Sequence, residues 1–190
     1  MNQLALKLAF FDMTYSDSFT ENTTPLPENV ELIVQQESEV KPKPTVEELS
    51  SKLIGLASYT HQMYTQSHLI HLNVEGPLFL SIHDFLKDQY ELHIKQFDSL
   101  SELVRSLDYF MPMCAKGLQQ SCNNFKDVKT YEMRDMLTTY LNNLDNGGMT
   151  AKEVLHVAKE VDAPDVENYL AEYIGESFKS AWFLKATLRC

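Results

Sequence analysis

Four side chains in one stretch of the sequence have the chemistry of a metal site: His71, His83, Asp98 and Glu102. Imidazole nitrogen combined with carboxylate oxygen suits iron or zinc. Their spacing dictates how such a site is built. Asp98 and Glu102 stand at i, i+4 and share one face of a helix. His83 precedes Asp98 by fifteen residues, which on one helix is about 22 Å along the axis. One chain therefore cannot bring His83 and Asp98 to the same ion. Two antiparallel copies can, if a twofold axis passes near residue 91 or 92. His83 of one copy then lies beside Asp98 and Glu102 of the other, and the sites come in symmetric pairs at a dimer interface.

Other chemistry-bearing residues read more plainly. His68, three before His71, is a candidate to join the site, but a surface or interface histidine is the simpler reading. His93, close to the supposed axis, reads as an interface contact. Glu153-Val154-Leu155-His156 matches one Glu-x-x-His motif; di-iron bundles need two, on two helices, so this one reads as helix surface. Asp162, Asp165 and Glu167 cluster at the start of the last helix, where acids also suit the helix dipole.

The elements that carry these residues read as helices. Thr45-Val46-Glu47-Glu48, just after Pro44, has the form of a capping box. A first helix runs from there to His71 or Leu72, with Leu53, Leu56, Tyr59 or Thr60, Met63, Ser67 and Ile70 on one face. Asn73 and Gly76-Pro77 break it. A second spans about Leu78 to Phe110, with a stripe from Phe79 to Leu107, and ends at Pro112. Residues 111–127 form a connection with one short helix around Ala115–Ser121. A third helix covers about Lys129 to Val161, and Gly147-Gly148 predicts a kink or split inside it. A turn at Asp162–Asp165 leads to a last helix, Val166 to Leu188. Strand signals are nearly absent, so the fold class is all-α: a four-helix bundle with a short extra helix between the second and third long helices.

Residues 1–44 differ. They carry Pro25, Pro27, Pro42 and Pro44, many Ser, Thr and Asn, and three Lys against seven Asp and Glu. They read as a flexible or loosely docked extension, with a strand-like run at Val30–Val34 and a partner-binding arm as the alternative. The domain proper is 45–190.

Composition excludes several classes. Sixteen Lys and Arg face 27 Asp and Glu, a net charge of −11, which argues against phosphate binding and hence DNA. Three Cys (Cys114, Cys122, Cys190) with no CxxC spacing argue against a disulfide scaffold and for a reducing compartment, the cytoplasm. No apolar run has the length of a membrane span, and the first residues do not form a signal peptide.

The run His71-Leu72-Asn73-Val74-Glu75-Gly76-Pro77-Leu78-Phe79-Leu80-Ser81-Ile82-His83-Asp84 resembles the signature of the Dps proteins, the mini-ferritins, H-W-N-v-x-G-x-x-F-x-x-x-H-E. In that family Asp and Glu follow the second His by fifteen and nineteen residues, as Asp98 and Glu102 do. Ala181-Trp182-Phe183-Leu184 resembles the family's closing W-m-L element, and the likeness covers about residues 46–190. It implies a ferritin-like four-helix subunit in a hollow dodecamer. It also implies intersubunit sites that oxidise Fe(II), usually with hydrogen peroxide, and interior storage of the ferric mineral. His71 and His83 would come from one chain, Asp98 and Glu102 from its neighbour, with iron as the metal and zinc as a possible competitor. Acids near Asp162 would line pores. Two departures stand out. Lys87 replaces an acidic residue four after the second His, and should repel a second iron. Leu72 replaces a Trp, whose role Tyr64, Tyr90 or Tyr109 could take. The alternatives are a catalytically impaired shell acting through its extension, and a DNA-protecting coat.

Overall fold

The computed structural model describes residues 43–122 and 124–189. Nearly all of the expected extension, its run Val30–Val34 and Cys190 lie outside the described residues. Within them are five helices and no strand: α1 (Val46–Asn73), α2 (Phe79–Ser106), α3 (Ala115–Gln120), α4 (Met133–Glu160) and α5 (Pro164–Thr187). The all-α expectation, with four long helices and a short one in the long connection, holds.

The helix ends have local causes. Thr45 Oγ1 accepts from the Glu48 amide at 3.2 Å, the expected cap on α1. The second helix stops at Ser106, short of Phe110 and well before Pro112. Asp108 takes a left-handed φ of +68°. The amide of Asp108 then donates to the Arg105 carbonyl (3.1 Å) and that of Tyr109 to the Val104 carbonyl (3.2 Å), a Schellman closure. The same closure ends α4, where Asp162 has φ +59° and the Ala163 amide reaches the Ala158 carbonyl at 3.0 Å. Aspartate fills the place glycine usually takes, as it tolerates this region better than most residues. Pro164 opens α5 in its first turn, where its missing N–H is no loss.

α4 does not split at Gly147-Gly148; it is one helix from Met133 to Glu160. The glycines serve close packing instead. A Cβ on Gly147 would stand 3.2 Å from the Tyr59 ring of α1, and one on Gly148 2.9 Å from the Phe178 ring of α5.

α1 pairs with α2 and α4 with α5, and the two hairpins join mainly through α1 against α4. The crossover between them, residues 107–132, carries α3, which packs on α1. Its path is clamped at one peptide. Gln66 Nε2 and Asn143 Nδ2 both donate to the Lys126 carbonyl at 2.8 Å, and the Lys126 amide donates to Asn143 Oδ1 at 3.3 Å. The apolar core falls into two clusters. One is built on Leu49, Leu53, Leu100, Val154 and Leu170, the other on Met63, Ile70, Ile82, Leu86, Leu137 and Leu184.

His93 is a correction to the sequence reading. It is 2% exposed and faces its own bundle, not a neighbouring chain, with Nε2 2.8 Å from the Tyr140 hydroxyl. Burial pushes its pKa down to about 4, opposed by the hydrogen bond with Gln96.

Two outcomes follow. Gly147→Ala gains about 1 kcal/mol of helix propensity. It meets a Tyr59 ring that is buried and tied by its hydroxyl to the Asn143 carbonyl at 2.8 Å, and overpacking costs about 1–3 kcal/mol. Urea unfolding should show net destabilisation. For His93, the unfolded chain binds a proton near pH 6.5 and the fold only near 4. Between those values the unfolded state holds more protons, so stability falls as pH drops through that window, by about 3 kcal/mol in all. The urea midpoint should decline from pH 6.5 to 4, and His93→Gln should flatten that decline.

Candidate metal centre

The turn between α1 and α2 brings His71 and His83 together. Val74 closes α1 by donating to the Ile70 carbonyl at 2.8 Å. Gly76 takes φ +115°, a conformation that strains any residue with a Cβ. Phe79 then restarts the helix by donating to the Gly76 carbonyl at 3.0 Å. The last turn of α1 thus lies beside the first two turns of α2.

The two imidazoles stack with centroids 3.6 Å apart and planes 20° apart. Each is tied to the other's backbone. His71 Nδ1 stands 2.8 Å from the His83 carbonyl, and His83 Nδ1 stands 3.0 Å from the His71 carbonyl. A carbonyl oxygen only accepts, so each Nδ1 carries the hydrogen and each Nε2 keeps its lone pair. The His71 carbonyl is one of the four at the end of α1 that lack a helical partner; the ring of His83 satisfies it. A donated Nδ1–H is also the usual outer hydrogen bond of a metal-ligating histidine. Other rings pack around the pair. Tyr90 meets His71 edge-on at 5.3 Å and lies 4.4 Å from His68, and Phe79 lies 5.0 Å from His83. Among the tyrosines considered as stand-ins for the missing Trp, Tyr90 is thus against His71. Tyr64 is 6.1 Å from His68, and Tyr109 packs on the opposite apolar cluster. Spacing alone could have found Tyr90, since it lies seven residues, two turns, after His83.

Asp98 and Glu102 are exposed and lie further along α2, about 22 Å and about 28 Å from His83 by helix rise. Among the described residues no three His, Cys, Asp or Glu side chains of one chain gather into a metal site. His71 and His83 meet within a chain; Asp98 and Glu102 do not meet them there. Nor does the bundle interior offer a substitute: among the described residues no Asp or Glu is buried, whereas interior di-iron sites take four glutamates. Glu153 and His156 are both exposed, in keeping with a helix-surface reading. Asp162 and Asp165 are exposed at the α4–α5 turn.

Bundle, crossover helix and histidine pair together define the class. A family model of the ferritin-like domain matches residues 52–190, and the chain belongs to the ferritin-like family. Its fold is that of the Dps proteins. The Dps protein of Vibrio cholerae O1, described as a member of a broad superfamily of ferritin-like diiron-carboxylate proteins, superposes with a TM-score of 0.71. It is 19% identical, over 75% of this chain and 90% of that one. The archaeal Dps homologue of Halobacterium salinarum gives 0.71 at 22% identity, over 75% and 80% of the two chains. Antigen TpF1 of Treponema pallidum gives 0.73 at 15%, over 79% and 98%. No curated protein matches by sequence. Among the described residues no helix is long and apolar enough to cross a membrane.

Proposed function

We propose that this chain is an iron-sequestering ferroxidase. In this reading Fe(II), its substrate, binds where His71 and His83 of one copy meet Asp98 and Glu102 of a second. Hydrogen peroxide is the oxidant, and the ferric mineral is kept inside a hollow dodecamer, which limits oxidative damage. The observation that carries the reading is the reciprocal histidine pair. It leaves two Nε2 lone pairs side by side, at a place no carboxylate among the described residues of the same chain reaches.

The surroundings support a second copy as the missing half. Leu69, Leu72, Phe79 and Leu80 are all exposed around the pair, and clustered exposed apolar side chains mark an interaction surface. With the partner's Asp98 and Glu102 in place, two imidazoles and two carboxylates make a mixed N/O set suited to Fe(II). Asp98 and Glu102 would hold the iron from the partner's side, and their carboxylates would stabilise the charge that grows on oxidation. Zinc accepts the same donors and is the expected competitor. Cys114 and Cys122 are free thiols, which fits a reducing cytoplasm. A net charge of −11 opposes phosphate contacts, so the reading does not extend to DNA.

Lys87 favours a variant of this function. It lies one turn after His83, is exposed, and makes no ion pair among the described residues. An ammonium there repels a second cation, so the centre holds one iron well and a second weakly.

His83→Ala and Asp98→Ala should each abolish fast Fe(II) oxidation with the assembly intact; normal rates in both would remove the site. Co-assembly of the two variants distinguishes a shared site from a single-chain one. Each mixed dimer regenerates one intact site of two, so random mixing should restore about one quarter of the wild-type rate. A site within one chain predicts no recovery. Lys87→Asp should raise the iron bound per site, read by anaerobic Fe(II) titration; no gain would leave Lys87 without a role in metal binding.

A further inference from the structure

Midway along the bundle, away from the candidate metal centre, a chain of hydrogen bonds can be followed from a fixed end. The Glu176 carboxylate accepts only, so Gln96 must turn its amide nitrogen toward it, Nε2 to Oε2 at 2.7 Å. The other end of that amide, Oε1, then faces His93 Nδ1 at 3.0 Å. An amide oxygen also accepts only, so Nδ1 carries the ring hydrogen and Nε2 is bare. The Tyr140 hydroxyl stands 2.8 Å from Nε2 and donates to it. Gln89 Oε1, at 3.4 Å, is a poor rival for that hydrogen.

The environment keeps both partners in the neutral form. Tyr140 is 0% exposed and His93 2%. Burial holds the imidazole pKa down near 4. It raises the phenol well above its usual value, against a hydrogen bond with Ser67 that works the other way. The result is a dry phenol hydrogen-bonded to a neutral base. A core that needed only a satisfied polar contact could use amides, as Gln66 and Asn143 do at 2.9 Å. A phenol on a bare imidazole nitrogen can do one thing an amide pair cannot. It can lose an electron while its proton crosses an existing hydrogen bond, leaving a neutral phenoxyl radical and an imidazolium.

We propose that Tyr140 is a buried one-electron donor, with His93 as the store for its proton, that completes the reduction of peroxide begun by a single Fe(II) at the metal centre. This rests on the ferroxidase reading, and Lys87 supplies the need for it. Peroxide takes two electrons, and a centre that holds one iron gives one. One Fe(II) and one H2O2 yield Fe(III), hydroxide and a hydroxyl radical. An electron from Tyr140 reduces that radical to a second hydroxide, and the phenolic proton moves to His93 Nε2. A further Fe(II) returns the electron, and the proton goes back to Tyr140. The sum is two Fe(II) and one H2O2 to two Fe(III) and two hydroxides, with the pair restored. No diffusing oxidant touches the buried ring, so the electron leaves through the protein. His93 lies ten residues from His83 and five from Asp98 on α2, about 15 Å and 7 Å by helix rise.

The test uses the full-length assembly, loaded anaerobically with one Fe(II) per chain, mixed with hydrogen peroxide and freeze-quenched for electron paramagnetic resonance. Wild type should give a neutral tyrosyl radical. Tyr140→Phe should lose it while still binding Fe(II), and should release several-fold more spin-trapped hydroxyl radical. His93→Gln, with the phenol kept and the base removed, should cut the radical yield several-fold. A radical that survives in Tyr140→Phe and vanishes in Tyr90→Phe would overturn the proposal, as would Fe(II) oxidation in wild type with no tyrosyl signal. If Tyr140→Phe does not assemble, wild type labelled with 15N-histidine decides: a radical coupled to a histidine nitrogen supports the pair, and an uncoupled one overturns it. If Fe(II) is not oxidised at all, the ferroxidase reading fails by itself. The pair is then tested in metal-free protein with photogenerated tris-bipyridyl ruthenium(III). A radical lost in both Tyr140→Phe and His93→Gln supports it, and no radical overturns it.

Discussion

Two imidazoles that each donate to the other's backbone set the geometry at this end of the molecule. A buried N–H or carbonyl without a partner is costly, and the pairing of His71 with His83 settles three such groups at once, the two ring N–H groups and the His71 carbonyl. It also fixes how α2 sits against α1, because each ring must reach one particular carbonyl. The tautomer follows from the same bonds, and with it the direction in which lone pairs are offered. Gly76 is the backbone condition for this arrangement, since the turn passes through φ +115°. Structure and chemistry therefore share one constraint: a ring free to turn would neither cap α1 nor present Nε2.

The bundle beyond that turn is apolar at both ends and polar in the middle. On α2 the two clusters of buried apolar residues are parted by Gln89, His93 and Gln96, each buried and hydrogen-bonded, with Tyr140 of the second cluster joined to His93. None of these is a carboxylate. Among the described residues, a centre of amides, an imidazole and phenols offers no buried carboxylate to hold a metal cluster. In the ferroxidase reading the ligands are the buried and half-buried histidines at the α1–α2 turn and two exposed carboxylates further along α2, and a single chain supplies half of each set.

Much of this was legible in the sequence, and the failures are instructive. The cap at Thr45, the face of α1 and the short helix near Ala115 follow from local chemistry that tertiary contacts do not overrule. The meeting of His71 and His83 was legible through motif resemblance, and the remoteness of Asp98 and Glu102 from simple helix arithmetic. The end of α2 was misread because its stop signal is an aspartate in a left-handed conformation, a place where glycine is the usual sign. Gly147 and Gly148 were read as weakness in α4, while their use depends on Tyr59 and Phe178, which are remote in sequence. His93 reads from the sequence as an interface contact because its partner Tyr140 comes from another helix, 47 residues away. Periodicity gives the face of a helix, not the identity of what packs on it.

The clamp on the crossover has a consequence for how this chain can change over generations. Gln66 and Asn143 grip the carbonyl and amide of residue 126 and leave the lysine side chain exposed. Any residue but proline offers the same two groups. The route of the crossover is thus encoded in α1 and α4, not in the segment that follows it. Its outward side chains are at liberty to diverge, and a new surface can be written there while the architecture beneath stays the same.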